Sequence, residues 1–154
     1  MSADLRWAWA EVDLGAYARN VARIVRAAAP AATWAVVKAD AYGHGAVPCA
    51  RTALSSGASG LCVATVTEGL ALREAGIDAP VLVLGEQPPG QFPAAVASGL
   101  ALTASRADVL DSLAEAARSA GARATVHVEV DTGMHRVGAE PADVAALAER
   151  IVAD

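Results

Sequence analysis

The chain has 154 residues, 55% of them hydrophobic and 19% charged, with a formal net charge of −5. That length holds one domain with a sizeable core, and that apolar content excludes a disordered chain. The acidic balance, with no basic stripe against it, excludes nucleic acid as the main partner.

The elements alternate along the chain. Residues 7–13 read as a leading strand, and Leu14 to Ala29 as an amphipathic helix closed by Pro30. Apolar runs near 33–38, 60–65, 80–84, 100–103 and 124–130 predict further strands. Helical stretches fall between them near 46–57, 67–76, 91–98 and 105–120, with a last one from about 141. Gly57, Gly76, Gly99 and Gly121 stand where helix-closing glycines belong. Many of the apolar residues are alanines, so the core must come from close helix packing.

Strand and helix in alternation predict parallel βα units. Two architectures satisfy the pattern. One is a TIM-type (β/α)8 barrel, of which only about the first five βα units are present. The other is a complete five-stranded, flavodoxin-like open sheet. The terminal helix pattern has no stop signal after it, which favours the barrel and makes residues 1–154 the front part of it.

Cys49 and Cys62 show no CxxC or His-Cys spacing, so they read as small buried hydrophobes of a reducing compartment. Asp4, Arg6 and Glu11 occupy the place of a signal peptide's apolar region. No run reaches the roughly 18 uncharged apolar residues of a membrane span. A cytoplasmic protein with no membrane partner is the expectation.

Two places carry candidate chemistry. In Val36-Val37-Lys38-Ala39-Asp40-Ala41-Tyr42-Gly43-His44-Gly45, a lysine closes an apolar run just ahead of a Gly-x-Gly turn. Such a lysine is either a snorkelling strand end or an amine held in a pocket for chemistry. Tyr42 offers a phenolic hydroxyl, or else packs across the turn. His44 is expected to be a turn residue, because no partner ligands for a metal accompany it. In the strand from Ala124 to Asp131, Val126, Val128 and Val130 share one face and His127, Glu129 and Asp131 the other. Inside a parallel barrel that polar face points into the lumen, where buried carboxylates require partners. Arg136, a short loop beyond, is the candidate partner.

Lys38 to Gly45 resembles the cofactor-lysine signature of the alanine racemases. The opening Trp9-Ala10-Glu11-Val12-Asp13-Leu14 with Asn20, and the later Val130-Asp131-Thr132-Gly133-Met134-His135-Arg136-Val137-Gly138, are similar to further blocks of that family in the same order. The resemblance implies pyridoxal 5′-phosphate (PLP) carried on Lys38, which also serves as one of two catalytic bases interconverting L- and D-alanine. It implies that Tyr42 binds the cofactor phosphate. Arg136 would bind the cofactor's phenolic oxygen and the substrate carboxylate. Glu129 stands where many members carry a carbamylated lysine, so a pairing of Glu129 with Arg136 is expected, with Asp131 also supporting the site. His135 replaces a common glycine.

The family's second base, a tyrosine from the C-terminal β domain of the partner subunit, has no match here, and that domain is absent from the sequence. A homodimer is implied for the full-length enzyme, with D-alanine supply to the cell wall as its purpose. This chain alone is expected to turn over poorly. A non-catalytic PLP-binding or carrier protein, a racemase of another amino acid, and a non-functional truncated product are the alternatives.

Overall fold

A computed structural model of the chain describes residues 8–153. Helix α1 (Leu14–Ala28) leads to strand β1 (Trp34–Val36), and a short turn, α2 (Lys38–Gly43), precedes helix α3 (Ala46–Ser55). Then follow β2 (Gly60–Val63), α4 (Val66–Glu74), β3 (Val81–Val83), a 3-10 turn with α5 (Phe92–Ala97), β4 (Ala101–Ala104), α6 (Ala107–Ala120), β5 (Thr125–Val128) and α7 (Val144–Ala153).

Local chemistry sets these boundaries. Asp13 opens α1 by accepting from Ala16 N–H at 2.9 Å. Thr65 and Glu68 close a reciprocal capping box on α4. The four expected glycines all take positive φ, and Gly121 ends α6 in the left-handed region. At the far end, Arg150 of α7 reaches Asp111 of α6.

The five strands are all parallel and lie in the order β1-β2-β3-β4-β5. A flavodoxin-like sheet reverses its order at a switch point; this one does not. The register places Ala35, Leu61, Val63, Val81, Val83, Leu102 and Ala104 on one face, packed into the helix-covered core with Leu72, Phe92 and Leu113. Trp34, Cys62, Leu82, Thr103 and His127 occupy the other face.

The curvature of the sheet follows from one contact. In a flat sheet β1 and β5 would stand roughly 19 Å apart, at about 4.8 Å per strand spacing. Yet the Trp34 and His127 rings meet edge to face with centroids 6.5 Å apart. The sheet curls until its first and last strands look at each other across a lumen, as in a section of a barrel. Gly60 makes room for this, because a Cβ there would lie 2.7 Å from the Trp34 ring.

One expectation fails. Residues 8–13 form no strand, and Trp7, where the leading strand was to begin, lies outside the described residues. A strand exists only with a partner for its N–H and C=O groups. Among the described residues β1 pairs with β2 alone, and Trp9 is 82% exposed.

Candidate active site at the C-terminal rim of the barrel

Reactive groups of parallel barrels gather at the C-terminal ends of the strands. Lys38 stands there. Val37 still donates to Cys62 O at 2.8 Å, continuing the β1–β2 ladder, so Lys38 is the first residue beyond the strand. Its side chain is half-buried, and among the described residues its amine has no hydrogen bond or ion pair. It is also the chain's single lysine; the other side-chain cations are arginines.

The backbone after it is unusual. Ala39, Asp40, Ala41 and Tyr42 all take φ between 51° and 56°, a complete left-handed turn. For L residues that conformation costs about 1–2 kcal/mol each. Several bonds hold it. Ala41 N–H donates to Val37 O and Gly45 N–H to Asp40 O, both at 2.9 Å. Asp40 Oδ1 accepts from Ala46 N–H at 2.6 Å, and Ala39 N–H donates to Glu68 Oε1 at 2.7 Å. His44 Nδ1 donates to Ala41 O at 2.7 Å and is a turn residue, as expected. Among the described residues no cluster could hold a metal ion. Tyr42 is 61% exposed and lines a cavity of about 490 Å³ with Tyr17, Asn20 and His44.

Glu68 belongs to a set of polar side chains that ties successive rim loops together. Its Oε2 accepts from Ala64 N–H at 2.7 Å and Thr65 N–H at 3.2 Å. Gln87 accepts from Val66 N–H at 3.3 Å and donates to Ala64 O at 3.2 Å and Gly85 O at 2.9 Å. Glu86 accepts from the Ser105 N–H and hydroxyl, both at 2.6 Å, and from Arg106 at 3.0 Å. The loops after β1, β2, β3 and β4 are thus joined in a row. Sequence reading passed over Glu68, although its Thr65-Val66-Thr67-Glu68 setting is a legible capping box.

Beyond β5, residues 131–139 form a loop closed on itself. Ala139 N–H donates to Glu129 O at 2.8 Å and Asp131 N–H to Ala139 O at 2.9 Å. Asp131 Oδ1 accepts from Gly133 N–H at 2.9 Å and His135 N–H at 3.0 Å, and His135 Nδ1 stands 2.8 Å from Oδ2. A carboxylate can only accept, so the imidazole donates. His135 takes φ 54°, the left-handed conformation a glycine would favour, so it keeps the loop's backbone path.

The expected arginine pairings are therefore corrected. Neither Glu129 nor Asp131 meets Arg136 among the described residues. Asp131 has turned its oxygens to its own loop. Glu129 Oε2 is buried without a partner among the described residues. Arg136 sits exposed on the loop's outer part, five positions beyond Asp131.

The backbone N–H donors of His135 and then Gly133 hold the Asp131 carboxyl below the usual carboxylate range. A folded value below the unfolded one means stabilisation that is complete above about pH 4 and lost as acid titrates the folded group. Relative to their intrinsic rates, the Gly133 and His135 amides should therefore stay protected from exchange from neutral pH down to about 4, then lose that protection in stronger acid. Exchange that is indifferent to acid would contradict the Asp131 clamp. Cys49 and Cys62 are buried and unpaired, with burial pushing both thiols up, as befits small hydrophobes.

A parallel barrel section with the chain's single lysine after its first strand and an arginine-bearing loop after its fifth, both on the C-terminal rim, defines the candidate site. The sequence model of the family described as "Alanine racemase, N-terminal domain" matches residues 12–154. The chain belongs to that family. It is 44% identical to the alanine racemase of Symbiobacterium thermophilum, over 96% of this chain and 39% of that one. The solved alanine racemase from D-cycloserine-producing Streptomyces lavendulae superposes with a TM-score of 0.88 at 42% identity, covering 92% of this chain and 37% of that one. A histidine racemase from Leuconostoc mesenteroides gives 0.86 at 29% identity, covering 98% and 41%. The chain thus spans about two fifths of the length of these relatives. No helix among the described residues is long and apolar enough to cross a membrane.

Proposed function

We propose that this chain is the cofactor-lysine portion of a PLP-dependent alanine racemase. The observation that carries this reading is the placement of Lys38, an amine unpaired among the described residues, on the rim of a curled sheet, with the Arg136 loop on the same rim beyond β5. The donor chemistry fits the cofactor: an amine for its aldehyde, and a phenol and a guanidinium for its anionic oxygens. When bound, PLP supplies the electron-poor ring that acidifies the Cα–H of an attached amino acid.

In this reading Lys38 fastens the cofactor and, once substrate has displaced it, moves a proton at Cα on one face. The Tyr42 hydroxyl donates to the phosphate. Arg136 addresses the phenolic oxygen and the substrate carboxylate, its fork suiting both. Asp131 supports that loop from within. We assign the second base, the remaining phosphate donors and the homodimer contacts to the portion of the enzyme that this chain does not span. The setting is cytoplasmic, with alanine as the substrate. In this reading the residues that size the substrate side chain lie mostly outside this chain.

One titration tests the proposal. Mixed with PLP, the chain should develop the visible absorbance of a carbon–nitrogen double bond, and L-alanine added afterwards should give little D-alanine with one base present. Failure to develop that absorbance would sink the cofactor assignment. Efficient turnover by the chain alone would sink the placement of the second base elsewhere.

A further inference from the structure

Resting on that reading, we propose that Glu68 is the positioning residue for Lys38. Ala39 N–H belongs to the peptide unit joining Lys38 to Ala39, so its 2.7 Å bond to Glu68 Oε1 fixes the plane attached directly to the Lys38 Cα. That N–H opens the left-handed turn, where no preceding carbonyl of the turn accepts from it. Among the described residues Glu68 is its only acceptor. Oε2 of the same carboxylate holds Ala64 and Thr65 after β2. Both oxygens are therefore committed, and the lysine's departure from β1 is tied to the neighbouring strand rather than left to a strained turn.

Capping α4 does not account for this arrangement. The capping box uses the 3.2 Å bond from Thr65 N–H and the return bond from Glu68 N–H to the Thr65 hydroxyl at 3.3 Å. The two shorter bonds, to Ala39 and Ala64, lie outside it.

The difference provides the control. Glu68→Ala removes the cap and the anchor together, whereas Thr65→Ala weakens the same cap and leaves the Ala39 anchor. Both variants of the 154-residue chain are expected to lower the melting temperature. Glu68→Ala should also weaken covalent capture of PLP by Lys38 about tenfold. Thr65→Ala should change it by less than about twofold. Glu68→Gln, with one acceptor oxygen and an NH2 group facing N–H donors, should fall between and serves if Glu68→Ala does not fold.

Amide exchange at Ala39 is read in parallel and should accelerate in Glu68→Ala but not in Thr65→Ala. Capture equal to wild type in Glu68→Ala, or equal losses in the two variants, overturns the proposal. If the wild-type chain captures no PLP, the cofactor reading fails and Ala39 exchange still decides the role of Glu68. Faster exchange in Glu68→Ala supports it; unchanged exchange overturns it.

Discussion

Lys38→Ala is expected to leave the chain unable to hold PLP covalently: no visible absorbance on mixing and no mass fixed by borohydride. The single-lysine composition makes this a complete loss of side-chain capture, because the α-amine is the one primary amine left. Hydrogen bonds from Tyr42 and Arg136 would retain the cofactor only reversibly, so dialysis should remove it. Folding should barely change. The amine is half-buried and unpaired among the described residues, so its removal is expected to shift stability by no more than about 0.5 kcal/mol. Lys38→Arg should fail equally, since a guanidinium keeps the charge without a condensing amine. A wild-type-like absorbance in either variant would mean that the cofactor is fastened elsewhere.

Gly138→Ala is expected to open the loop that carries Arg136, at a cost of about 2–3 kcal/mol. Gly138 takes φ +117°, and a Cβ there would run into Asp131 N, with Val130 C at 2.8 Å and Asp131 Cα at 3.0 Å. Those atoms are backbone at the exit of β5, so no side-chain rotation relieves the contact. The bridge between Val130 and Ala139 should separate, and amide exchange at Asp131 and Ala139 should accelerate. Leu61, fully buried in β2, should keep its protection. Unchanged exchange at Ala139 would show that the loop can absorb a methyl group after all.

The parallel layout was legible because apolar runs, helical stretches and closing glycines recur in order; four of the five observed strands fall inside their expected runs, and β4 overruns its own by one residue, Ala104. The order of the strands and the curl came only with the choice of the barrel over the open sheet, since periodicity alone does not say which strands touch. Trp34 and His127 meet across the lumen from positions 93 residues apart. The leading strand failed for the same reason: a strand-like composition at 8–13 has no ladder to join.

At the site, the lysine motif announced Lys38, but not the left-handed turn behind it. Alanine and tyrosine carry no preference for positive φ, and only Gly43 and Gly45 hinted at an unusual path. The pairing of Asp131 with His135 instead of Arg136 was equally hidden. A carboxylate four residues ahead of an imidazole meets it only when the intervening loop closes, and Gly133 and Gly138 supply that closure. The lysine count was a signal in plain view. One amine among eleven arginines singles out Lys38 without any structure.

The central claim is that the Lys38 amine and the Arg136 guanidinium serve one ligand at the barrel mouth. A crystal structure of the chain loaded with PLP and reduced with borohydride measures this directly. Electron density should run unbroken from Lys38 Nζ into the pyridine ring, with Arg136 in hydrogen-bond reach of that same ring. Density joined to the N-terminal amine, or a ring on Lys38 with Arg136 turned away from it, would contradict the account.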